Sequence, residues 1–317
     1  MPSGPAFLAL VLTALVSMPT RAEGLRVGVP QVNGYTYLAT QVALQNGYFK
    51  NNGIDVDVVV FAGGAKLQQA IFANSIDLAV SGGTDFAYIV KGVPEVAVAA
   101  VAGPPLALGI IVPYQSSIVA ADDLKGKKVG ITSAGSLSEW LLRRMAQKKG
   151  WGSDALTLVA TGSSSSGGMA ALATGEIDAL MTQSAVGYQL ELSKRGRLLF
   201  PSSDYVEKFL VYATFATIPI IRDRPETVRR FLKAWFENIA DMRAHRAKTV
   251  DLLRSLTKFD LEVQSREYDL VMPMFSIDGR FEPDALNVLA NSFVEMGMLD
   301  TKPDMSKLYT EEYLPRP

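Results

Sequence analysis

The chain has no cysteine and a single histidine, His245. The first absence excludes disulfides, thiolate metal sites, iron–sulfur ligation, a cysteine nucleophile and the thiol through which a bacterial lipoprotein is acylated. The second excludes a His-rich metal site and any Ser-His-Asp triad not built on His245, which lies in the basic stretch Arg243 to Lys248 and reads as a solvated residue near a helix end. Excess charge is missing too. Lys and Arg number 31 against 32 Asp and Glu, a net charge of −1, with neither sign gathered into a long run, so no surface for nucleic acid or an anionic membrane is expected. Neither a metal nor a cofactor is expected.

What is present is a globular composition, 48% hydrophobic and 20% charged over 317 residues, long enough for about two domains. Ala6 to Met18 reads AFLALVLTALVSM, too short to span a bilayer but right for the apolar part of a secretory signal. Thr20-Arg21-Ala22 supplies small residues for a cut after Ala22, although no Lys or Arg precedes the run. Residues 1–22 are therefore expected to be a cleaved signal peptide. The mature chain is expected in the periplasm without a membrane anchor, since no other stretch is apolar enough to span.

The rest alternates strand and helix. Leu25 to Val29 is a strand, Pro30 to Gly34 a loop and Tyr35 to Asn46 a helix; Ile54 to Phe61, Gly63-Gly64, Ala65 to Ala73 and Ile76 to Val80 continue the pattern. From Lys127 the grammar repeats, with strand Val129 to Thr132, helix Ser136 to Lys149, strand Leu156 to Ala160, a Ser/Gly loop from Gly162 to Gly168 and strand Ile177 to Met181. The match is partly literal: Gly63-Gly64 with Ile76-Asp77-Leu78-Ala79 is answered by Gly167-Gly168 with Ile177-Asp178-Ala179-Leu180. Two similar α/β lobes with mostly parallel sheets follow. Crossings between them are expected at Val112 to Gly126 and near Val211 to Ile221, giving lobe 1 as residues 25–113 and 216–317 and lobe 2 as 114–215. A helix opening at Pro225 presents Val228, Phe231, Leu232, Trp235, Phe236, Ile239 and Met242 on one face, read as core.

Ligands of such sheets bind beyond strand carboxyl ends, where helix N-termini offer free N–H groups. Five loops qualify: Pro30 to Tyr35, Ala62 to Ala65, Ser81 to Asp85, Thr132 to Ser136, and Gln183-Ser184. Ser136 and Glu139 form an S-x-x-E capping box. Either they only cap their helix, or Gly135 also lets the backbone approach an anion, with the Ser133 and Ser136 hydroxyls as donors. Asp85 either supports its helix start or faces the cleft and favours a cationic or hydrogen-bond-donating ligand. Tyr35, Tyr37, Phe86 and Trp140 stack on a planar ligand or simply pack. No Lys or Arg lies in the five loops, which disfavours a multiply charged anion.

At this level the chain resembles the nitrate/sulfonate/taurine/thiamine-precursor group of ABC-transporter substrate-binding proteins. The resemblance rests on Asn46-Gly47-Tyr48-Phe49-Lys50, Gly53-Ile54-Asp55-Val56, Gly63-Gly64 and Asp77-Leu78-Ala79, on Asp123 to Gly130, on Gly135-Ser136, and on Ala170-Ala171-Leu172 with Gly175 to Ala179. It implies the type II periplasmic-binding-protein fold, two α/β lobes joined by two hinge strands. It also implies ligand contacts at Gln31, Asn33, Tyr35, Gly64, Ser81, Gly82, Thr84, Gly135, Ser136 and Gln183, to which the residue-level reading adds Asp85 and Ser133. The expected protein is a monomeric, non-catalytic receptor that delivers a small sulfonate, carboxylate or thiamine-precursor-like molecule to a membrane permease. Two alternatives are an exported enzyme of the same fold with Asp85 as acid/base, and a sensory co-receptor. A related pyrimidine-forming enzyme carries a cysteine-rich motif, which this chain lacks.

Overall fold

The structure, a computed structural model, describes residues 23–30, 34–61, 63–152, 154–162 and 165–316. The expected signal peptide and the candidates Gln31 and Asn33 lie outside them.

The chain opens with β1 (Glu23–Val29), α1 (Tyr35–Gln45), α2 (Tyr48–Asn51), β2 (Ile54–Val60), α3 (Gly64–Phe72), β3 (Leu78–Gly82), α4 (Phe86–Val90) and β4 (Glu95–Ala102). It continues through β5 (Leu108–Pro113), β6 (Lys128–Ile131), α5 (Leu137–Lys148), β7 (Thr157–Ala160), α6 (Ser165–Thr174), β8 (Ala179–Gln183), α7 (Ser184–Leu192), β9 (Gly196–Pro201) and β10 (Tyr212–Thr217). A helical tail follows: α8 (Ile218–Asp223), α9 (Pro225–Ala244), α10 (Arg246–Thr257), α11 (Leu261–Val271) and α12 (Pro283–Glu295). The strands form two five-stranded sheets, ordered β2-β1-β3-β10-β4 and β7-β6-β8-β5-β9.

The repeat seen in the sequence has a structural cause. In the first sheet Asp77 accepts the backbone N–H of Arg26 at 2.9 Å and returns its own N–H to the Arg26 carbonyl at 3.0 Å. Asp178 does the same to Lys128, at 2.8 Å in both directions. Each aspartate thus fastens the third strand of its lobe to the first. The loops correspond likewise, since Gly63 N–H donates to Pro30 O at 2.8 Å and Gly162 N–H to Thr132 O at 3.1 Å, both glycines having positive φ. Gly162 is therefore the counterpart of Gly63, whereas Gly167 and Gly168 fall inside α6.

Each sheet has one antiparallel strand, β10 in the first and β5 in the second. These are the strands that arrive from the other lobe, and entering from the opposite end reverses their direction. The chain accordingly crosses at residues 103–107 and 202–211, upstream of the segments expected. Pro113 closes a strand instead of starting a crossing, because the buried run Ile110-Ile111-Val112 belongs to the second sheet, and Tyr212–Thr217 pairs wholly within the first. The two crossing segments touch: Val211 N–H donates to Ala102 O at 2.8 Å, and a Cβ on Gly103 would lie 1.9 Å from Phe209 O.

The apolar face of α9 is buried as its spacing requires. Phe231 stacks on Phe49 with ring centroids 5.1 Å apart, and Trp235 follows it at 6.3 Å. This packing anchors the helical tail to the first sheet's flank.

Candidate functional site

The helix starts facing the lobes differ in how their N–H groups are satisfied. α1, α3 and α7 follow Gly34, Gly63 and Gln183, none of which caps its helix with a side chain, so first-turn N–H groups remain open to a partner, except that Ser184 N–H at the start of α7 donates to Ala107 O at 3.0 Å. The start of α5 is closed by comparison. Ser136 Oγ accepts from Glu139 N–H at 3.4 Å, and Glu139 turns back to accept from Gly135 N–H at 2.7 Å while pairing with Arg143. The capping box forms, with Gly135 in place of Ser136 as its second donor, so one donor expected for a ligand is used within the loop. Ser133 and Gly135 are exposed and Ser136 is half-buried.

Asp85 is 2% exposed. Gln68 on α3 donates to its Oδ2 at 2.9 Å, and a Cβ on Gly64 would lie 3.3 Å from its Oδ1. Burial pushes the carboxyl up to about 6, with the Ser81 hydroxyl and Gln68 amide pulling the other way. Behind it Glu95, also buried, is pushed up to about 9 by desolvation and by the charge of Asp85. Asp85 therefore stands behind the Gly63-Gly64 turn, tying α3 to the end of β3. Ser81 is buried beside it, and Gly82 and Thr84 are half-buried. Sequence reading missed Gln68 and Glu95; the signal for Gln68 was a polar residue between Leu67 and Ile71 on a buried helix face.

Among the candidate aromatics, Phe86 is core, edge-on to Phe215 with centroids 5.3 Å apart, and Trp140 stacks on Phe209 at 4.8 Å. Tyr37 packs at the core's edge. Tyr35 differs, because it lines a cavity of about 20 Å³ together with Gln183 of the second lobe, space for about one water-sized group. The cavity lies between α1, the start of α7, and α10 and α11; Glu267, Gln264, Thr257 and Tyr268 also line it.

The lobes also meet through side chains. Arg266 of α11 pairs with Glu191 of α7 at 2.8 Å and lies over the Tyr188 ring at 4.0 Å, and Gln189 donates to Asp260 at 2.9 Å. Elsewhere Trp140 Nε1 of α5 donates to Glu295 of α12 at 2.6 Å. Tyr35, Gly64, Ser81, Gly82, Thr84 and Asp85 thus belong to the first lobe, and Ser133, Gly135, Ser136 and Gln183 to the second. Tyr35 and Gln183 line one cavity. Among the described residues, no three or more acidic or His side chains assemble as metal ligands, and no helix is long and apolar enough to cross a membrane.

A family model described as NMT1/THI5 like matches residues 36–248. The chain belongs to the NMT1/THI5-like family. A protein of Brucella abortus (strain 2308) that bears a binding-protein name is 26% identical to this family member over 96% of both chains. Among solved structures, the periplasmic aliphatic sulphonate binding protein SsuA from Escherichia coli superposes with a TM-score of 0.75 at 23% identity, over 91% of this chain and 92% of that one. The desulfurization enzyme DszB superposes with a TM-score of 0.65 at 17% identity, over 92% of this chain and 97% of that one. At these identities the structures establish the two-lobed periplasmic-binding-protein fold, on which this family member is built.

Proposed function

We propose that the chain is the periplasmic solute-binding protein of an ABC importer, exported by a cleaved signal peptide and acting as a monomer. It captures a small organic molecule between its lobes and presents the closed form to a membrane permease. The observation that carries this reading is the shared cavity of Tyr35 and Gln183, residues from different lobes, each beside a helix N-terminus without a side-chain cap. Gly64, Ser81, Gly82, Thr84, Ser133, Gly135 and Ser136 supply the surrounding rim, with lobe 1 and lobe 2 divided at the crossings 103–107 and 202–211. The sulphonate-binding name of the Escherichia coli neighbour supports a ligand with a sulfonate or carboxylate group.

Binding here is without bond-making. Asp85, the one acid that sequence suggested as a catalyst, is sealed behind the Gly63-Gly64 turn and engaged by Gln68, where it supports the loops and has no open face for a substrate. The test is calorimetric titration of the purified mature protein with sulfonates, carboxylates and pyrimidines, followed by scattering of the free and loaded forms. Binding of an intact compound with a smaller radius of gyration when loaded, and stimulation of a permease ATPase by the loaded form, is the expected result. Recovery of a chemically altered compound overturns it.

A further inference from the structure

Glu267 lies on α11, on the face that also carries Val263, Gln264, Tyr268 and Val271. It is 3% exposed, and neither carboxyl oxygen has a hydrogen-bond partner. Buried carboxyls without a partner are rare because desolvation of such a group is costly. Two of its polar neighbours are turned elsewhere: Tyr268 donates to Met242 O at 2.6 Å, and Thr257 Oγ1 donates to Gln264 Oε1 at 3.0 Å. The carboxyl borders the same cavity that joins Tyr35 of the first lobe to Gln183 of the second.

The groups lining this cavity include the phenols of Tyr35 and Tyr268 and the rings of Phe259 and Phe275, but no Lys, Arg, His or Asp from α1, α7, α9, α10 or α11. Arg243 of α9 lies behind the wall, its guanidinium committed to the carbonyls of Met272 and Phe275; an acidic group with no cation paired to it, in a lining of aliphatic and aromatic side chains, is a receptor for a cation or a compact hydrogen-bond donor. The space of about 20 Å³ is enough for a group the size of water, as an ammonium is. We propose that Glu267 is the subsite for a primary ammonium group on the transported molecule, whose acidic or polar end lies at the helix N-termini of the cleft.

This inference rests on the receptor reading and narrows its ligand to amino compounds. It has a proton linkage. Burial alone holds the Glu267 carboxyl up at about 8, so the free site is mostly neutral at pH 7.4, and an arriving ammonium ionises it and expels the proton to solvent. No bond to the ligand forms or breaks.

The test is isothermal titration of the mature protein and of Glu267→Gln with matched pairs: 2-aminoethanesulfonate against ethanesulfonate, 3-aminopropanesulfonate against propanesulfonate, and 4-aminobutanoate against butanoate. Each titration is repeated at pH 7.4 in two buffers of different ionisation enthalpy. In the natural protein at least one amine binds ten-fold or more tightly than its deaminated partner and releases a proton. In Glu267→Gln the preference falls within three-fold and the proton release vanishes, while the deaminated compound keeps its affinity. If amine and deaminated compound bind alike, or the preference survives in Glu267→Gln, the subsite is overturned and the receptor reading stands. If neither series binds, the receptor reading fails for these ligand classes and takes the subsite with it. Matching circular dichroism spectra of the two proteins establish that the variant is folded.

Discussion

Removing the charge-bearing capacity of Glu267 changes how stability depends on pH, and the size of the change follows from its burial. An ordinary glutamate titrates at 4.5, and here the folded-state value is about 8. At pH 7 the unfolded chain has therefore lost a proton that the folded chain retains. Each unit of displacement corresponds to about 1.4 kcal/mol, so keeping the proton over the two and a half units between 4.5 and 7 costs about 3 kcal/mol of stability. The sign follows from linkage. The folded state binds more protons than the unfolded state between pH 4.5 and 8, so this group's contribution to stability falls as pH rises through that window and levels off above 8. Glu267→Gln has no proton to lose. Its stability relative to the natural protein should therefore climb by about 1.4 kcal/mol per pH unit between pH 5 and 7.5. The constant offset between them is set separately by burying an amide, worth about 1–3 kcal/mol. Urea unfolding followed by tryptophan fluorescence at half-unit intervals measures the slope. Parallel stability curves for the two proteins across pH 5 to 7.5 would refute the argument, since they would mean that Glu267 is ionised when folded.

Three further perturbations are informative. Gly103→Ala puts a methyl group 1.9 Å from Phe209 O, pushing the two crossing segments apart, and should lower stability by about 3 kcal/mol in the same unfolding assay; an unchanged midpoint would show that the segments move freely. Asp77→Asn removes an acceptor for Arg26 and Arg224, whose bonds and charges outweigh burial and hold this carboxyl below its ordinary value. The resulting destabilisation should be full at neutral pH and shrink as pH falls through and below about 4, read as thermal midpoints from pH 7 to 3. Arg266→Glu sets a carboxylate against Glu191 and removes the cation over Tyr188; the ligand-free protein should scatter with a larger radius of gyration than the natural one, and identical curves would show that this contact does not hold the lobes together.

The two-lobed α/β fold was legible because its signals are local. Strand–loop–helix punctuation by Gly and Pro marked the leading β-α-β-α-β run of each lobe, though not β4, β5, α7 or β9, and the Ile-Asp repeat marked the third strands because Asp77 and Asp178 perform the same backbone pairing. The crossings were misjudged for a physical reason: β5 and β10 are ordinary apolar strands, and nothing within Leu108–Pro113 or Tyr212–Thr217 records which sheet will accept them. The loops beyond the strand ends, where the candidate glycines and hydroxyls lie, could be placed from the sequence. Gln68 left only the weak signal of a polar residue between Leu67 and Ile71, and Glu95 and Glu267 left none that separates a polar residue facing solvent from one turned inward by packing. The capping role of Ser136 and Glu139 was readable from spacing alone, whereas the diversion of Glu139 to Gly135 N–H was not.

The placement of β10 between β3 and β4 has a consequence for how the molecule is born. Those two strands do not pair with each other, so once residues 23–102 have left the ribosome or a translocation channel, the first sheet consists of β2-β1-β3 with β4 unattached. It stays that way while the next hundred or so residues emerge, and closes only when Tyr212–Thr217 slides into the gap. During that interval the unpaired edge of β3 and the apolar strand β4 are open to other chains. The second sheet needs no such wait, as β5 precedes the rest of it. The order of completion is therefore lobe 2 before lobe 1, against the order of synthesis, and a chain with this topology profits from being held extended until its last strand has arrived.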